Sequence, residues 1–157
     1  MVSRRYTPMT TPMSARSLGR MEGRVISTIT RVRYVSPDGS VSDTGPMELR
    51  LSDGSSAVFD VGPDGETLRV DEGPWQDPFQ EPLSPDNRAY VQEVGKWTAF
   101  DVTDEYPYSA LTGQRLEAVA AQENSLGYPE RVSFRTQAAT VSVAVGADEL
   151  VVKVEVT

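Results

Sequence analysis

Short runs of alternating apolar and polar residues, separated by turn-forming residues, make up most of the chain. The first run extends from Gly23 to Val35 and is rich in the β-branched residues that favour strands. Turn signals follow at Asp38-Gly39, Asp53-Gly54 and Asp64-Gly65, since Asp and Gly tolerate the backbone conformations that tight turns require. The pattern predicts a mainly β protein, α+β at most.

The same arrangement returns in the second part of the chain. Residues 113–119 resemble residues 23–29, and each is followed by a long loop, a hairpin and a final strand. The sequence therefore predicts two related antiparallel β units, residues 23–70 and 113–156, packed as one domain over residues 23–157. A true duplication requires the two units to have the same strand order and to superpose.

The linker between the units, residues 71–112, has a different composition. Ser84 and Pro85 are suited to the start of a helix and Gly95 to its end. The linker is therefore expected to contain a loop, one short helix and a strand over residues 96–102.

The N-terminal residues show no apolar period. Residues 1–22 contain Ser, Thr, Pro, Met and Arg with Glu22 as the one acid, so we expect a disordered basic tail. Deletion of residues 1–20 is then expected to change the melting temperature by about a degree at most, because a solvated tail contributes little to stability.

The composition excludes several kinds of chemistry. The 157 residues include no Cys and no His, which excludes disulfides and thiol catalysis and removes the commonest general base and zinc ligand. No segment has the roughly 18 apolar residues of a membrane span. We predict no catalytic residue, no cofactor, no metal site and no membrane association, and expect a cytoplasmic protein.

Charge is distributed unevenly along the chain. Residues 1–33 carry a net charge of +6 and the remaining residues −14, which gives the total of −8. An acidic body disfavours nucleic acid as a partner, because neutralisation of phosphates supplies most of that affinity. It favours a basic protein partner, or simply solubility. The oligomeric state stays open.

Aromatic and acidic residues are concentrated together within the linker, between residues 71 and 108. Exposed aromatic side chains can anchor a basic partner while carboxylates steer its approach. The predicted partner-binding residues are Trp75, Phe79, Asp101, Asp104, Glu105, Tyr106 and Tyr108. Trp97 and Phe100 are instead expected to be core residues. Because the three acids lie in one loop, a solvated loop explains them better than a catalytic carboxylate pair.

Three segments of the second unit carry a resemblance to known proteins. Residues 113–119, 132–134 and 147–152 show the layout Gly-x-x-Leu-x-x-Val, Val-x-Phe and Ala-Asp-Glu-Leu-x-Val. This layout resembles small duplicated β proteins of unknown function from high-GC bacteria. Some of those proteins are encoded beside secreted toxins and act as their immunity partners. The resemblance covers most of residues 23–156 and implies no functional residue.

Three classes of function remain after these considerations. The first is a non-catalytic protein-interaction domain, such as an immunity-type inhibitor of a basic toxin domain. The second is a small-ligand-binding or carboxylate-based enzyme domain with a cleft between the two units. The third is a structural component of a larger assembly.

Overall fold

Two antiparallel sheets form most of the computed structural model, which describes residues 12–157. The first sheet contains β1 (Ile26–Val35), β2 (Met47–Leu51), β3 (Ser56–Val61), β4 (Leu68–Glu72) and β5 (Lys96–Asp101). The second contains β6 (Ala118–Glu123), β7 (Pro129–Arg135), β8 (Ala139–Gly146) and β9 (Glu149–Val156). The helical elements are α1 (Ala15–Gly19), α2 (Pro85–Val94) and a 3-10 turn at Tyr108–Ala110. The prediction of a mainly β fold is confirmed.

Strands that are consecutive in the sequence are neighbours in both sheets. The order is β4-β3-β2-β1-β5 in the first sheet and β6-β7-β8-β9 in the second, and all neighbouring strands are antiparallel. The four strands before the linker and the four strands after it thus have the same order. Superposition of the two units is a further requirement, so the duplication stays a prediction.

A single cluster of buried apolar side chains contains residues of both sheets. Phe59 of β3 and Phe134 of β7 lie with their ring centroids 6.3 Å apart. Ile29, Leu49 and Val141 are fully buried in the same cluster. Most strands contribute every second residue, because successive side chains point to opposite faces of a sheet; in β1 a bulge alters this spacing. The two sheets therefore share one core.

The N-terminal segment differs from its prediction. Leu18 and Met21 are 1% and 6% exposed and belong to the shared core. The expectation of a disordered tail over residues 1–22 is therefore wrong for residues 12–22, and residues 1–11 lie outside the described part of the chain.

Isolated apolar residues explain why this segment shows no sequence signal. The Ser14 hydroxyl caps α1 by accepting the Ser17 N–H, and the Met13 N–H donates to the Val70 carbonyl of β4 at 2.7 Å. Only one turn of helix separates the buried positions, so a window of several turns contains too few of them to show a period. The segment is ordered by tertiary contacts with the sheets.

The linker helix and strand form as predicted. The Ser84 side chain accepts the Asn87 N–H at 3.1 Å, and Gly95 ends α2 with a φ of 85°, a conformation that favours glycine. None of the residues of α2 is buried. Within residues 12–157, neither helix has the length and apolar character needed to cross a membrane.

The strand expected at residues 113–119 starts later than predicted. The Gly23 N–H donates to the Leu116 carbonyl at 2.7 Å, and the Leu116 N–H donates to the Arg24 carbonyl at 2.8 Å. Residues 113–116 therefore pair with the chain just before β1 and with its first residue, Ile26, and β6 begins at Ala118. Leu116 is fully buried, which accounts for the strand-like pattern that these residues show.

Candidate interaction surface

Strand β5 forms one edge of the first sheet and leads directly into residues 101–108, which we call the acidic loop. Among residues 12–157 it pairs with β1 alone, and its residues alternate between partly buried and exposed. Trp97, Ala99 and Asp101 are the exposed residues. Asp104, Glu105 and Tyr106 follow after one turn and are exposed as well. The structure thus confirms that the acids of residues 101–105 lie at the surface.

The carboxylates of Asp101, Asp104 and Glu105 differ in whether an ion pair neutralises them. The Thr103 N–H donates to the Asp101 Oδ1 at 2.9 Å, and hydrogen bonds from the Thr103 side chain and backbone lower the pKa of Asp101. Glu105 accepts from Arg33 at 2.8 Å. Asp101 and Asp104 form no ion pair among residues 12–157. These two carboxylates therefore present uncompensated negative charge.

The loop that carries these acids is held to the sheet at several points. The Val102 N–H donates to the Ile29 carbonyl at 2.9 Å, and the Ile29 N–H donates to the Thr103 hydroxyl at 3.1 Å. The Thr112 hydroxyl donates to the Thr103 carbonyl at 2.9 Å. Val102 is buried. These contacts fix the start of the loop, so the exposed acids project from an ordered backbone.

The two tyrosines of the loop have opposite environments. Tyr106 is 74% exposed, whereas Tyr108 is 9% exposed. The Tyr108 hydroxyl accepts a hydrogen bond from the buried Arg31 at 2.6 Å. Tyr106 is therefore available to a partner, and the prediction that Tyr108 is a partner-binding residue is wrong because its ring belongs to the core.

Trp75 and Phe79 belong to the first part of the linker and are half-buried. The backbone N–H of Trp75 donates to the Glu48 carboxylate of β2 at 2.9 Å. Phe79 stacks on Tyr90 with a centroid separation of 5.8 Å, and its carbonyl accepts from Lys96 at 3.0 Å. Because Phe79 is bonded to Lys96 at the start of β5 and Asp101 ends the strand, Phe79 lies roughly 17 Å from Asp101 at 3.3 Å per residue. Glu48, which binds Trp75, lies instead in register with Asp101 across β1. Phe79 therefore does not belong to one compact patch with the acids.

Trp97 is an exposed aromatic residue that the sequence interpretation assigned to the core. Its side chain is 40% exposed, and its ring meets Tyr34 edge-on with centroids 5.2 Å apart. Phe100 does pack against the core, as expected. The prediction for Trp97 is wrong because residues 97 and 100 are separated by an odd number of positions and must point to opposite faces of a strand. Strict use of this alternation would have found Trp97.

The depression between the two units is small and is not lined by residues of β5 or of the acidic loop. It has a volume of about 400 Å³ and is lined by Asp64, Glu66, Val145, Ala147 and Asp148, together with Gly65. The Asp64 carboxylate accepts hydrogen bonds from its own turn, which lower its pKa. Within residues 12–157, no cluster of three or more acidic side chains is arranged to hold a metal ion.

Comparison with protein families, with curated proteins and with solved structures finds no match to this chain.

Proposed function

We propose that this chain is a non-catalytic protein-interaction domain that binds a basic protein through the surface formed by β5 and the loop that follows it. The observation that carries the proposal is the exposure of Trp97, Asp101, Asp104 and Tyr106 on one ordered stretch of chain. An immunity-type inhibitor of a basic toxin is one protein of this kind. The aromatic rings supply contact area, and the carboxylates supply attraction and orientation.

The local charge supports a basic partner. Residues 71–105 contain nine acidic and two basic residues, a net charge of −7. Both basic residues are already engaged within this segment, because Arg88 pairs with Glu81 and Lys96 with Asp77. The segment therefore has no free cation to offset Asp101 and Asp104, and its field attracts positive charge.

Asp64 and Asp101 do not favour the alternative of a carboxylate-based enzyme in which either acts as a general acid. A general acid needs a raised pKa in order to hold its proton at neutral pH. The pKa values of Asp64 and Asp101 are instead lowered by hydrogen bonds. Asp64 lines the depression between the units and Asp101 ends β5, so the two are not neighbours in one concave site.

The test is affinity capture from an extract of the source cells, followed by mass spectrometry, with two variants of equal net charge. One variant carries Asp101→Lys and Asp104→Lys. The matched control carries Glu130→Lys and Glu155→Lys, two exposed acids of the second sheet. We expect a basic protein to be retained by the wild-type chain and by the control but not by the first variant.

The kinetics of the captured complex provide the second measurement. Association should slow as salt rises, because surface charges are screened beyond a Debye length of about 8 Å at 0.15 M. Equal association rates for both variants at low salt would show that the acidic surface does not steer a partner. The proposal would then be wrong.

A further inference from the structure

We propose that the outer edge of β5 binds an extended segment of the basic partner by strand addition. This inference rests on the proposed function and specifies how the partner is held. The partner segment would become a sixth strand of the first sheet, with its backbone bonded to β5 and its basic side chains beside Asp101.

The backbone groups of β5 that face away from β1 define the binding edge. The Val102 N–H donates to the Ile29 carbonyl of β1. The backbone groups of successive residues in a strand point alternately to its two sides, so those of Phe100 and Thr98 also face β1. The N–H and C=O groups of Trp97, Ala99 and Asp101 consequently point outward.

The hydrogen bonds of Tyr34 on β1 confirm that the backbone of Trp97 points away from β1. Tyr34 lies opposite Trp97, but the Tyr34 N–H donates to the Ser42 hydroxyl at 3.1 Å and the Tyr34 carbonyl accepts the Ser42 N–H at 3.0 Å. Tyr34 is thus bonded on the side away from β5. Within residues 12–157, no hydrogen bond reaches the outward backbone groups of Trp97, Ala99 or Asp101.

Of the other sheet edges, that of β4 is covered and that of β6 is bonded at its start. Beside β4 lies the N-terminal segment, where Pro12 bridges Asp71 and Met13 bonds to Val70. On β6, the Val119 N–H donates to the Glu22 carboxylate at 2.8 Å. Proteins cover or charge such edges to prevent unwanted pairing, so an edge left open beside an acidic loop is suited to a partner.

The edge of β9 is partly open as well, but its charges select no partner. The Leu150 N–H is bonded to the Thr44 carbonyl at 3.1 Å. The hairpin register directs the amides of Val152, Val154 and Val156 outward. Lys153 and Glu155 alternate with these valines and carry opposite charges. The edge of β5 ends instead in uncompensated acids, and for that reason we assign the basic segment to β5.

The side chains on the outer face specify the kind of segment that fits. A strand added beside β5 places its own side chains next to Trp97, Ala99 and Asp101, where directly opposed residues interact. A lysine or arginine is favoured beside Asp101, and a cation is also attracted to the face of Trp97. Ala99 is small and leaves room for a large apolar side chain between them. The expected segment is extended, with basic, large apolar and basic residues at alternate positions.

The probe is a synthetic peptide with capped ends and the sequence Thr-Lys-Thr-Leu-Thr-Lys-Thr. We expect it to add antiparallel, as all neighbouring strands of both sheets do, so that its lysines and leucine lie directly opposite Trp97, Ala99 and Asp101 with their N–H groups facing β5. It is titrated into the full-length, isotopically labelled chain while amide chemical shifts are recorded. We expect the largest shifts at Trp97, Ala99 and Asp101.

Two controls isolate the backbone contribution. The same peptide N-methylated at its lysines and leucine keeps its charge but loses the donors that face β5, and it should bind about tenfold more weakly or worse, since several hydrogen bonds are lost together. In the chain, Ala99→Pro removes an outward N–H without breaking the β1–β5 ladder and should weaken the unmodified peptide similarly. Val156→Pro removes an outward N–H of β9 and should leave binding unchanged.

The outcomes separate this inference from the proposed function. Equal binding of the methylated and unmodified peptides to the wild-type chain, with loss of both in the Asp101→Lys, Asp104→Lys variant, would overturn strand addition and leave the acidic surface as a binding site. Shifts centred on Val152 and Val154 would overturn the choice of edge. No binding at a peptide concentration of about 1 mM would also overturn strand addition. If Ala99→Pro does not fold, the methylated peptide still decides the question.

Discussion

The guanidinium of Arg31 donates a hydrogen bond of 2.6 Å to the hydroxyl of Tyr108 in the interior of the protein. Arg31 is 3% exposed and forms no ion pair among residues 12–157. Its other bonds go to the carbonyls of Asp43 at 2.7 Å and Gly45 at 3.1 Å, and its Nε has no partner in the described structure. A buried cation is therefore held by neutral oxygens, which connects β1 with the loop before β2 and with the turn after the acidic loop.

Replacement of Tyr108 by phenylalanine tests this connection. Tyr108→Phe removes one of the three acceptors of a buried charge, and we expect a loss of about 1–3 kcal/mol in the free energy of unfolding. Urea denaturation measures the change. Tyr106→Phe is the control, because Tyr106 is 74% exposed and should change stability by less than about 0.5 kcal/mol. If both variants were equally stable, the Arg31–Tyr108 bond would not matter to the fold.

The N-terminal helix provides the second prediction. Leu18 is 1% exposed in the shared core, so Leu18→Ala should cost about 2–5 kcal/mol through lost burial and the cavity that remains. Arg16→Ala on the same helix changes an exposed residue and should leave stability nearly unchanged. Thermal and urea denaturation of both variants measure the difference. Similar melting temperatures would support the original prediction of a dispensable tail.

The sequence allowed the strands and the linker helix to be predicted because their signals are local. Alternation around Val25–Ile29, the Asp-Gly turns, and the Ser84 cap with Gly95 each depend on neighbouring residues only. The observed helix and strands follow these signals closely. The late start of β6 is an exception, because residues 113–116 pair with Ile26 and the chain before it and not with β7.

The candidate site was less predictable, because exposure is decided by packing. Tyr106 and Tyr108 are two residues apart and chemically alike, yet only Tyr108 meets the buried Arg31. An arginine at position 31 would ordinarily be expected at the surface, so nothing in the sequence pointed to its burial. Trp97 differs from these cases, since strand alternation with Phe100 already required it to face away from the core.

The turn at Asp64 gives a prediction for pH dependence. Its carboxylate accepts the N–H groups of Glu66 and Thr67 and the hydroxyl of Thr67, and these bonds lower the pKa of Asp64 below its ordinary value of 3.8. The ionised form is thus favoured in the folded state. Its stabilising contribution is complete above the unfolded-state pKa and is lost as the pH falls through the lower folded-state pKa.

Asp64→Asn keeps an acceptor oxygen but removes the charge. We expect the wild-type chain to be more stable than this variant at neutral pH, and the difference to shrink as the pH is lowered below about 4. Urea denaturation at a series of pH values measures this difference. Glu130→Gln, which removes an exposed charge, reports the effect of net charge alone. A constant difference between wild type and Asp64→Asn at all pH values would contradict the prediction.

Gly45 explains how Trp97 is held beside the exposed edge of the first sheet. A Cβ atom added at Gly45 would lie 2.5 Å from the Trp97 ring, and still closer to the backbone carbonyl of Val32. The ring therefore packs directly against the glycine backbone. Gly45→Ala should displace Trp97, and because the Val32 backbone cannot move freely, it should cost about 1–3 kcal/mol, as overpacking does elsewhere.

Gly19→Ala is the matched control for Gly45→Ala. A Cβ atom at Gly19 would meet nothing within 4 Å, and alanine is favoured over glycine in a helix by about 1 kcal/mol, so this variant should be as stable as the wild type or more so. Urea denaturation gives the two stabilities, and tryptophan fluorescence in a Trp75→Phe background, which leaves Trp97 as the one emitting tryptophan, reports the movement of its ring. An unchanged emission spectrum and unchanged stability in Gly45→Ala would mean that Trp97 does not rest on Gly45.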